Sequence, residues 1–419
     1  MGSMSLKELI YHLKKPYHLI KTGFLKGVTA EIKYKYPAKK LKILTITGTD
    51  GKTTSSTMLY HVLKGACKRV ALLSTVAAYI DDETIDTGFH VTTPDPASLH
   101  KILRKMVDQG IEYVVLEVTS HGVYQYRTWG IESKIAGLTN ISHEHLDYHV
   151  NYKLYVEAKA KLLTKSKLAI INDDDHSAPM VKRILRANQK RFATYSETDR
   201  LYYKVKQAIE KRFTEKYNQM NARLVYAMCE KLGITNSEFI EGIKAFPGVP
   251  GRMEEVSKKP IRVIVDFAHT PQALEGALTA LRKQLPSKKS RLIAVYGSAG
   301  LRDRSKRPIM GRIGTELADL VVFTAEDPRT EDVWSIIRQM KEQLTAHHDK
   351  VTSIANRVEA IEFAITKLAQ KGDIVAIFGK VHEHMMCYRS TEYAWDAREE
   401  SRKVLEKFCY NQITSNNSV

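Results

Sequence analysis

One octapeptide restricts this chain more than any other stretch. Thr47-Gly48-Thr49-Asp50-Gly51-Lys52-Thr53-Thr54 directly follows the apolar run 41–46 and directly precedes a helical pattern over 55–63. Strand, glycine loop, Lys-Thr and helix together form a grip for a nucleoside triphosphate. Backbone N–H groups at the helix start face the phosphates, the lysine adds a point charge, and the threonine hydroxyl can hold Mg²⁺. Glycine permits the close approach because it carries no Cβ. Only Thr49 and Asp50 separate Gly48 from Gly51-Lys52-Thr53, whereas the general phosphate loop has four residues there. The shortening narrows the families that fit. The competing reading is a surface turn with a chance Gly-Lys-Thr, and the strand-to-helix context argues against it.

At 419 residues the chain is too long for one ordinary core and calls for two or three domains. Its 43% hydrophobic and 27% charged content is that of a globular protein. No apolar run approaches the ~18 residues a membrane span needs, and no secretory leader is visible. Met1-Gly2-Ser3-Met4 reads as an expression scar before a native start at Met4. Cys67, Cys229, Cys387 and Cys409 are far apart, which excludes a disulfide scaffold or cysteine zinc site and points to the cytoplasm. The net charge of +18 is scattered over the whole chain and accompanies no nucleic-acid module. Anionic small substrates are therefore the expected partners, rather than nucleic acid.

Residues 1–40 hold a short helical pattern (6–13) and a basic, Tyr-rich connector ending at Pro37. From 41 to about 250, strands expected at 41–47, 69–74, 113–118, 135–139 and 168–171 alternate with helices at 98–108, 152–163 and 218–232. This alternation predicts a parallel sheet covered on both faces. Pro247-Gly248-Val249-Pro250-Gly251 is a strong breaker and the expected boundary. Beyond it, over 251–419, strands at 261–266, 291–296, 320–324 and 374–378 and helices at 271–281, 333–344 and 358–368 read as a smaller Rossmann-like α/β domain. The tail 411–419 reads as disordered.

Glu117 closes an apolar run and so falls where ligands sit in parallel sheets, as a candidate Mg²⁺ ligand or an ordinary charged strand end. Thr139 to His149 carries three histidines and two acids but lacks a metalloprotease spacing. A hydrogen-bonded loop explains it equally well. The helix pattern around Lys159 reads as amphipathic, with its lysines in solvent.

Taken in order, the octapeptide, Thr92-Thr93-Pro94, Glu117-Val118-Thr119-Ser120-His121, Thr139-Asn140 with His145-Leu146-Asp147-Tyr148-His149, and Glu157-Ala158-Lys159 resemble the Mur ligases. These are ATP-dependent amide ligases that build the peptidoglycan stem peptide. The type that adds the third residue is most similar, over about residues 41–408. The resemblance implies a central P-loop ATPase-like domain followed by the Rossmann-like domain, which takes the incoming amino acid. It implies ATP contacts from Gly48, Thr49, Asp50, Gly51, Lys52, Thr53, Thr54, Asn140, Asn218, Asn221, Arg252, Asp266 and Lys306, with Arg307 also toward phosphate. Two Mg²⁺ ions would be held by Thr53, Glu117, His145 and Lys159, the lysine as its CO₂-derived carbamate. Lys52, Lys159, His145 and Glu117 would form the catalytic set. Thr92, Thr93, Ser120, Gln125 and Arg127 would contact a muramoyl-peptide acceptor.

In this family an Asp-Asn-Pro-Arg segment and a Gly-Lys-Gly-His-Glu segment select meso-diaminopimelate. Here they read Glu326-Asp327-Pro328-Arg329 and Gly379-Lys380-Val381-His382-Glu383. Arg329 and Glu383 keep the carboxylate- and amine-reading groups, and Arg302 falls on another substrate-facing position. Asp327 in place of an amide and Val381 in place of glycine depart from the pattern, leaving L-lysine or another amino acid as alternatives. Typical members also place a whole UDP-binding domain before the loop, whereas 46 residues precede Thr47 here. The expectation is a reduced or rebuilt uridine site, an acceptor without UDP, or a partner protein supplying the grip to an otherwise monomeric enzyme. Folylpolyglutamate synthase and the lipid II amidotransferase subunit are the competing ligases, though the zinc cysteines of the latter are missing. A nucleotide-binding regulatory module without ligase activity is the competing non-enzyme.

Overall fold

The computed structural model describes residues 5–75, 78–80, 83–85, 92–142, 144, 146–259, 261–344, 348–381 and 385–416. The chain divides into two compact units, Met1–Gly248 and Val249–Val419.

The first unit begins with helix α1 (Leu6–His18), which runs through a π-helical stretch (Leu19–Val28) into α2 (Thr29–Lys33). This corrects the reading of residues beyond 13 as a connector. Ser5 and Glu8 form a capping box that starts α1. Pro16 sits inside the helix without a backbone donor, and the chain continues in the wider π winding from Leu19. Helical periodicity was hidden because nearly every apolar residue on this arm faces outward. Its inner face rests on Tyr11, which is buried against Tyr124 and His149, and on Gly23 and Gly27, which lie flat on the Trp129 indole.

Strands β1 (Lys42–Thr47), β2 (Val70–Leu73), β3 (Ala78–Ile80), β4 (Glu83–Ile85), β5 (Tyr113–Glu117), β6 (Ser133–Leu138), β7 (Ser166–Asn172) and β8 (Phe192–Tyr195) form one sheet in the order β4-β3-β2-β5-β1-β6-β7-β8. All pairings are parallel except those of β3 and β4. Helices α3 (Lys52–Gly65), α4 (Pro96–Asp108), α5 (Ser120–Tyr124), α6 (Leu146–His149), α7 (Tyr152–Thr164), α8 (Ala178–Ala187), α9 (Tyr203–Arg212), α10 (Lys216–Leu232) and α11 (Asn236–Ala245) complete the unit. Buried strands covered on both faces read as near-continuous apolar runs, and β2 and β5 are buried at every position.

In the second unit, β9 (Glu254–Ser257), β10 (Arg262–Asp266), β11 (Leu292–Tyr296), β12 (Leu320–Phe323), β13 (Val351–Ser353) and β14 (Ile374–Phe378) form a sheet in the order β13-β12-β11-β14-β10-β9, with only β9 antiparallel. The alternation of β11 is explicit. Leu292, Ala294 and Tyr296 enter one core and Ile293 and Val295 the other. Helices α12 (Pro271–Arg282), α13 (Lys306–Leu317), α14 (Val333–Lys341), α15 (Arg357–Phe363) and α16 (Ala397–Asn416) accompany a hairpin of β15 (Met385–Tyr388) and β16 (Thr391–Ala394). The last helix runs to Asn416, so the expected disorder from 411 is corrected over the described part of the tail.

Candidate active site

The carboxyl ends of β1, β2, β5 and β6 point the same way, and the candidate residues of the first unit gather there. Gly51 adopts a left-handed φ of 78° as the N-cap of α3, with no side-chain cap. The first N–H groups of α3 are therefore presented at the loop, as an anion site requires. A Cβ on Gly51 would stand 2.3 Å from Asn221 Oδ1, so α10 packs directly against the loop. Asn221 Nδ2 in turn donates to Asn218 Oδ1 at 3.3 Å. Asn140 shapes the loop from the other side. Its Oδ1 accepts from Asp50 N at 3.0 Å, and its Nδ2 donates to Asp50 O at 3.2 Å. Thr49 is tied to Tyr155 OH and accepts from Ser142 N, and Lys52 Nζ reaches Thr49 O at 2.7 Å. Thr54 follows, part-exposed, in the first turn of α3.

Glu117 is 1% exposed at the end of β5. It accepts from Thr53 Oγ1 at 3.0 and 3.2 Å, from Thr75 N at 3.0 Å and from Thr75 Oγ1 at 2.9 Å. Among the described residues no lysine or arginine forms an ion pair with it. A buried carboxylate with hydroxyl partners and no cation suits a metal ion. Thr75 was missed by sequence reasoning, although its place just beyond the end of β2, next to β5, was a usable signal. His145 lies outside the described residues. No group of three metal-ligating side chains is assembled among those described.

Lys159 overturns the solvated-surface reading. It is 1% exposed, donates to Gly48 O at 2.5 Å and lies 4.7 Å from the centre of the Tyr155 ring. Burial, followed by the charge of Lys52, drives its ammonium well below the ordinary lysine range, against the opposing pull of Asp50 and Glu117. The amine is thereby held toward its neutral form beside the phosphate loop.

The acceptor candidates adjoin this group. Thr92 Oγ1 lies 3.0 Å from Thr75 Oγ1, whose own proton goes to Glu117, and Thr93 Oγ1 accepts from Thr119 N at 3.0 Å. Arg127 donates to Thr93 O and Gln125 Oε1, while Gln125 Nε2 donates to Tyr148 OH. Ser120 Oγ is 3.0 Å from His149 Nε2, whose Nδ1 is 3.0 Å from Tyr11 OH. Burial keeps the Tyr11 hydroxyl protonated and pushes the His149 imidazole down to about 2, with His121 and Lys159 adding to the depression. Tyr11 then donates to Nδ1 and Nε2–H donates to Ser120, an assignment of tautomer from the network. The Ser120 proton is left for another acceptor. His149 is therefore a hydrogen-bonded core histidine, as the loop reading allowed. Gln125 and Arg127 also line a cavity of about 400 Å³ with Tyr17, His18, Lys21 and Lys26 of the N-terminal arm. The arm's contribution had no motif to announce it.

In the second unit the candidates again lie at carboxyl strand ends. Asp266 closes β10 and accepts from Met253 N at 2.7 Å and Ala268 N at 2.8 Å, while its carbonyl accepts from Gly379 N. Arg252 stacks 4.3 Å from the Phe267 ring centre, and Lys306 Nζ reaches His269 O at 2.8 Å. Arg307, expected toward phosphate, has protein partners in this structure. It is fully buried, ion-paired to Glu331 at 2.7 Å and bonded to Gln339 Oε1 and Ala299 O. Arg302 is exposed.

The two departures near Arg329 have physical explanations. Asp327 Oδ1 accepts from Cys387 N at 2.7 Å, as an amide oxygen would, and its charge is met by Lys380 at 3.4 Å and Arg329 at 3.5 Å. Its negative charge is thus compensated locally. Val381 is 1% exposed and joins the core on one face of the sheet, so the side chain is accommodated rather than strained. Glu326 is buried beside Gly379, where a Cβ would lie 2.4 Å from its carboxylate. Glu383 lies outside the described residues.

The Mur ligase middle domain family matches residues 46–233, and the Mur ligase, glutamate ligase domain family matches residues 251–381. A UDP-N-acetylmuramoyl-L-alanyl-D-glutamate–2,6-diaminopimelate ligase of Clostridium tetani is 37% identical over 403 residues, covering 91% of this chain and 81% of that one. The chain belongs to the Mur ligase family. Another ligase of that description, from Clostridium botulinum, is 34% identical over 424 residues, covering 96% of this Mur ligase and 86% of its own length. A solved structure described as a UDP-N-acetylmuramoyl-L-alanyl-D-glutamate–2,6-diaminopimelate ligase superposes with a TM-score of 0.58 at 29% identity, over 91% of this chain and 83% of that one. A Mycobacterium tuberculosis folylpolyglutamate synthase superposes with a TM-score of 0.69 at 17% identity, over 88% and 96% of the two chains, a likeness of fold alone.

Proposed function

We propose that this Mur ligase joins meso-diaminopimelate to the terminal carboxylate of a UDP-linked muramoyl-dipeptide, using ATP. Lys159 carries the ligase part of the reading: it is buried with its Nζ on Gly48 O of the phosphate loop, and burial with Lys52 holds it toward its neutral amine.

ATP would lie on the Gly48–Thr54 loop with its phosphates at the α3 N-terminus and Lys52. Asn218 and Asn221 border the loop on the α10 side, while Asn140 holds it in shape. Mg²⁺ would be held by Thr53, Glu117, His145 and a carbamate on Lys159, and would neutralise phosphate charge and polarise the reacting oxygens. A neutral amine is the form that takes up CO₂, and burial together with Lys52 favours that form. The acceptor carboxylate attacks the γ-phosphorus of ATP, giving an acyl phosphate and ADP. The incoming amino nitrogen then attacks the acyl carbon, loses a proton, and expels phosphate that carries one former carboxylate oxygen. Lys52 offsets charge during both steps, so the protein's part is mainly positioning and electrostatics. Thr92, Thr93, Ser120, Gln125 and Arg127 would orient the acceptor. In the second unit, Arg252, Asp266 and Lys306 would approach the nucleotide. Arg329, with Arg302, Glu326, Gly379 and Glu383, would read the distal end of the amino acid through bidentate pairing to its carboxylate. The pairing of Asp327 with Lys380 and Arg329 lessens the repulsion that its charge would exert on a second substrate carboxylate. The enzyme would act as a monomer in the cytoplasm, where its ATP is supplied.

Phosphate release tested across acceptors with and without UDP, and across diaminopimelate, lysine and other amino acids, examines this reading. Release that needs both an acceptor and diaminopimelate supports it. ATP turnover indifferent to either substrate refutes it.

A further inference from the structure

The N-terminal arm carries a surface unlike the rest of the molecule. Of the eighteen large apolar side chains exposed among the described residues, eleven fall between Leu6 and Tyr36. They are not scattered. At the helical period, Leu6, Leu9, Ile10, Leu13 and Tyr17 fall within an arc of roughly 100° on α1, and Ile20, Phe24 and Leu25 continue outward on the π-helical stretch, each more than 50% exposed. The opposite face is occupied. Tyr11 is buried, Glu8 accepts from Asn151 Nδ2 at 2.6 Å, and Gly23 and Gly27 seat Trp129. The arm is therefore anchored with its apolar stripe outward, not a loose tail awaiting a core.

Charge accompanies the stripe. Nine lysines against Glu8 and Glu31 give residues 5–40 a net charge of +7. All nine lysines are exposed. No helix among the described residues is long and apolar enough to cross a membrane. A basic, outward-facing apolar helix that cannot span is the form that lies in a lipid–water interface, its apolar face among acyl chains and its lysines at anionic headgroups.

We propose that the arm over residues 5–33 docks this ligase on an anionic lipid bilayer. An apolar stripe alone would suit a second copy of the chain equally. The like charge of two such arms opposes that pairing, whereas an anionic bilayer complements it. Tyr17, Lys21 and Lys26 of the same arm line the cavity shared with Gln125 and Arg127. On the functional reading above, docking would bring the acceptor side of the site to the bilayer.

Co-sedimentation of the full chain with vesicles tests this without reference to catalysis. The chain should pellet with vesicles of phosphatidylglycerol and phosphatidylcholine in about equal amounts, and bind about tenfold less to pure phosphatidylcholine or at about 0.5 M salt. The triple variant Leu13→Glu/Ile20→Glu/Phe24→Glu should lose binding with an unchanged melting temperature, because all three side chains are exposed. Lys7→Glu/Lys14→Glu/Lys33→Glu should lose the preference for anionic vesicles. Equal binding of the wild type to both vesicle types, undiminished binding of the apolar triple variant, or a vesicle-free dimer dissolved by that variant would each overturn the proposal. Failure of the ligase reaction would leave it standing, since vesicle binding is read independently.

Discussion

Gly51 and Gly233 offer a matched pair for testing whether the loop is a nucleotide cradle. Both have a φ of 78°, but a Cβ at Gly51 would stand 2.3 Å from Asn221 Oδ1, whereas nothing lies within 4 Å at Gly233. Alanine at either site carries a left-handed backbone cost of about 1 kcal/mol. At Gly233 that is the whole cost, and a unit of this size should lose roughly 2–4 °C in melting temperature. At Gly51 the side chain of Asn221 must also swing away from its hydrogen bond to Asn218, adding about 1 kcal/mol. Gly51→Ala should therefore cost about twice as much as Gly233→Ala. In an Asn221→Ala background the excess should vanish, as a double-mutant cycle would report. The larger consequence is functional. Displacing the N-cap of α3 should weaken binding of a non-hydrolysable ATP analogue, measured by calorimetry, at least about tenfold or 1.4 kcal/mol, while Gly233→Ala leaves it unchanged. Equal melting losses and equal nucleotide affinities in the two variants would refute the reasoning.

Other outcomes follow from buried groups. Lys159→Ala should abolish turnover, with partial recovery on adding short-chain carboxylic acids; unaffected turnover would remove the carbamate from the account. His149, depressed from 6.5 to about 2 in the fold, supports stability fully above pH 6.5 and loses that support as pH falls from there toward 2. Each unit in that window costs up to about 1.4 kcal/mol, so melting temperatures at stepped pH should fall on the acid side, and less steeply in His149→Gln. Arg307→Ala should destabilise the second unit by about 2 kcal/mol in denaturant unfolding, because it empties a buried site and leaves Gln339 Oε1 and Ala299 O without their donor, while Glu331 keeps Arg304. A direct phosphate-binding role for Arg307 would show instead as lost nucleotide affinity with intact stability.

The parts of the fold that were legible are those where local pattern and tertiary burial agree. β1, β5, β10 and β14 are short apolar runs with their glycine- or acid-bearing loops at the carboxyl end, and the elements could be read from them. β3, β4, β13 and the β15–β16 hairpin have three or four residues each, too few for a period to register. The arm was misread for the opposite reason. Its apolar period points at solvent, so the usual inference from stripe to core fails there. Lys159 was invisible to pattern because its spacing on α7 matches a surface lysine, and only the resemblance singled it out. Arg307 shows the converse: a motif placed it near phosphate, whereas its neighbours Glu331 and Gln339, 24 and 32 positions away in sequence, hold it inside the unit.

The acyl-phosphate reaction on this buried, lysine-centred site is the central claim, and oxygen transfer tests it directly. With the acceptor's terminal carboxylate labelled in ¹⁸O, ATP and diaminopimelate, mass spectrometry of the released phosphate should find one labelled oxygen for each amide formed. Unlabelled phosphate released without amide formation would contradict the account.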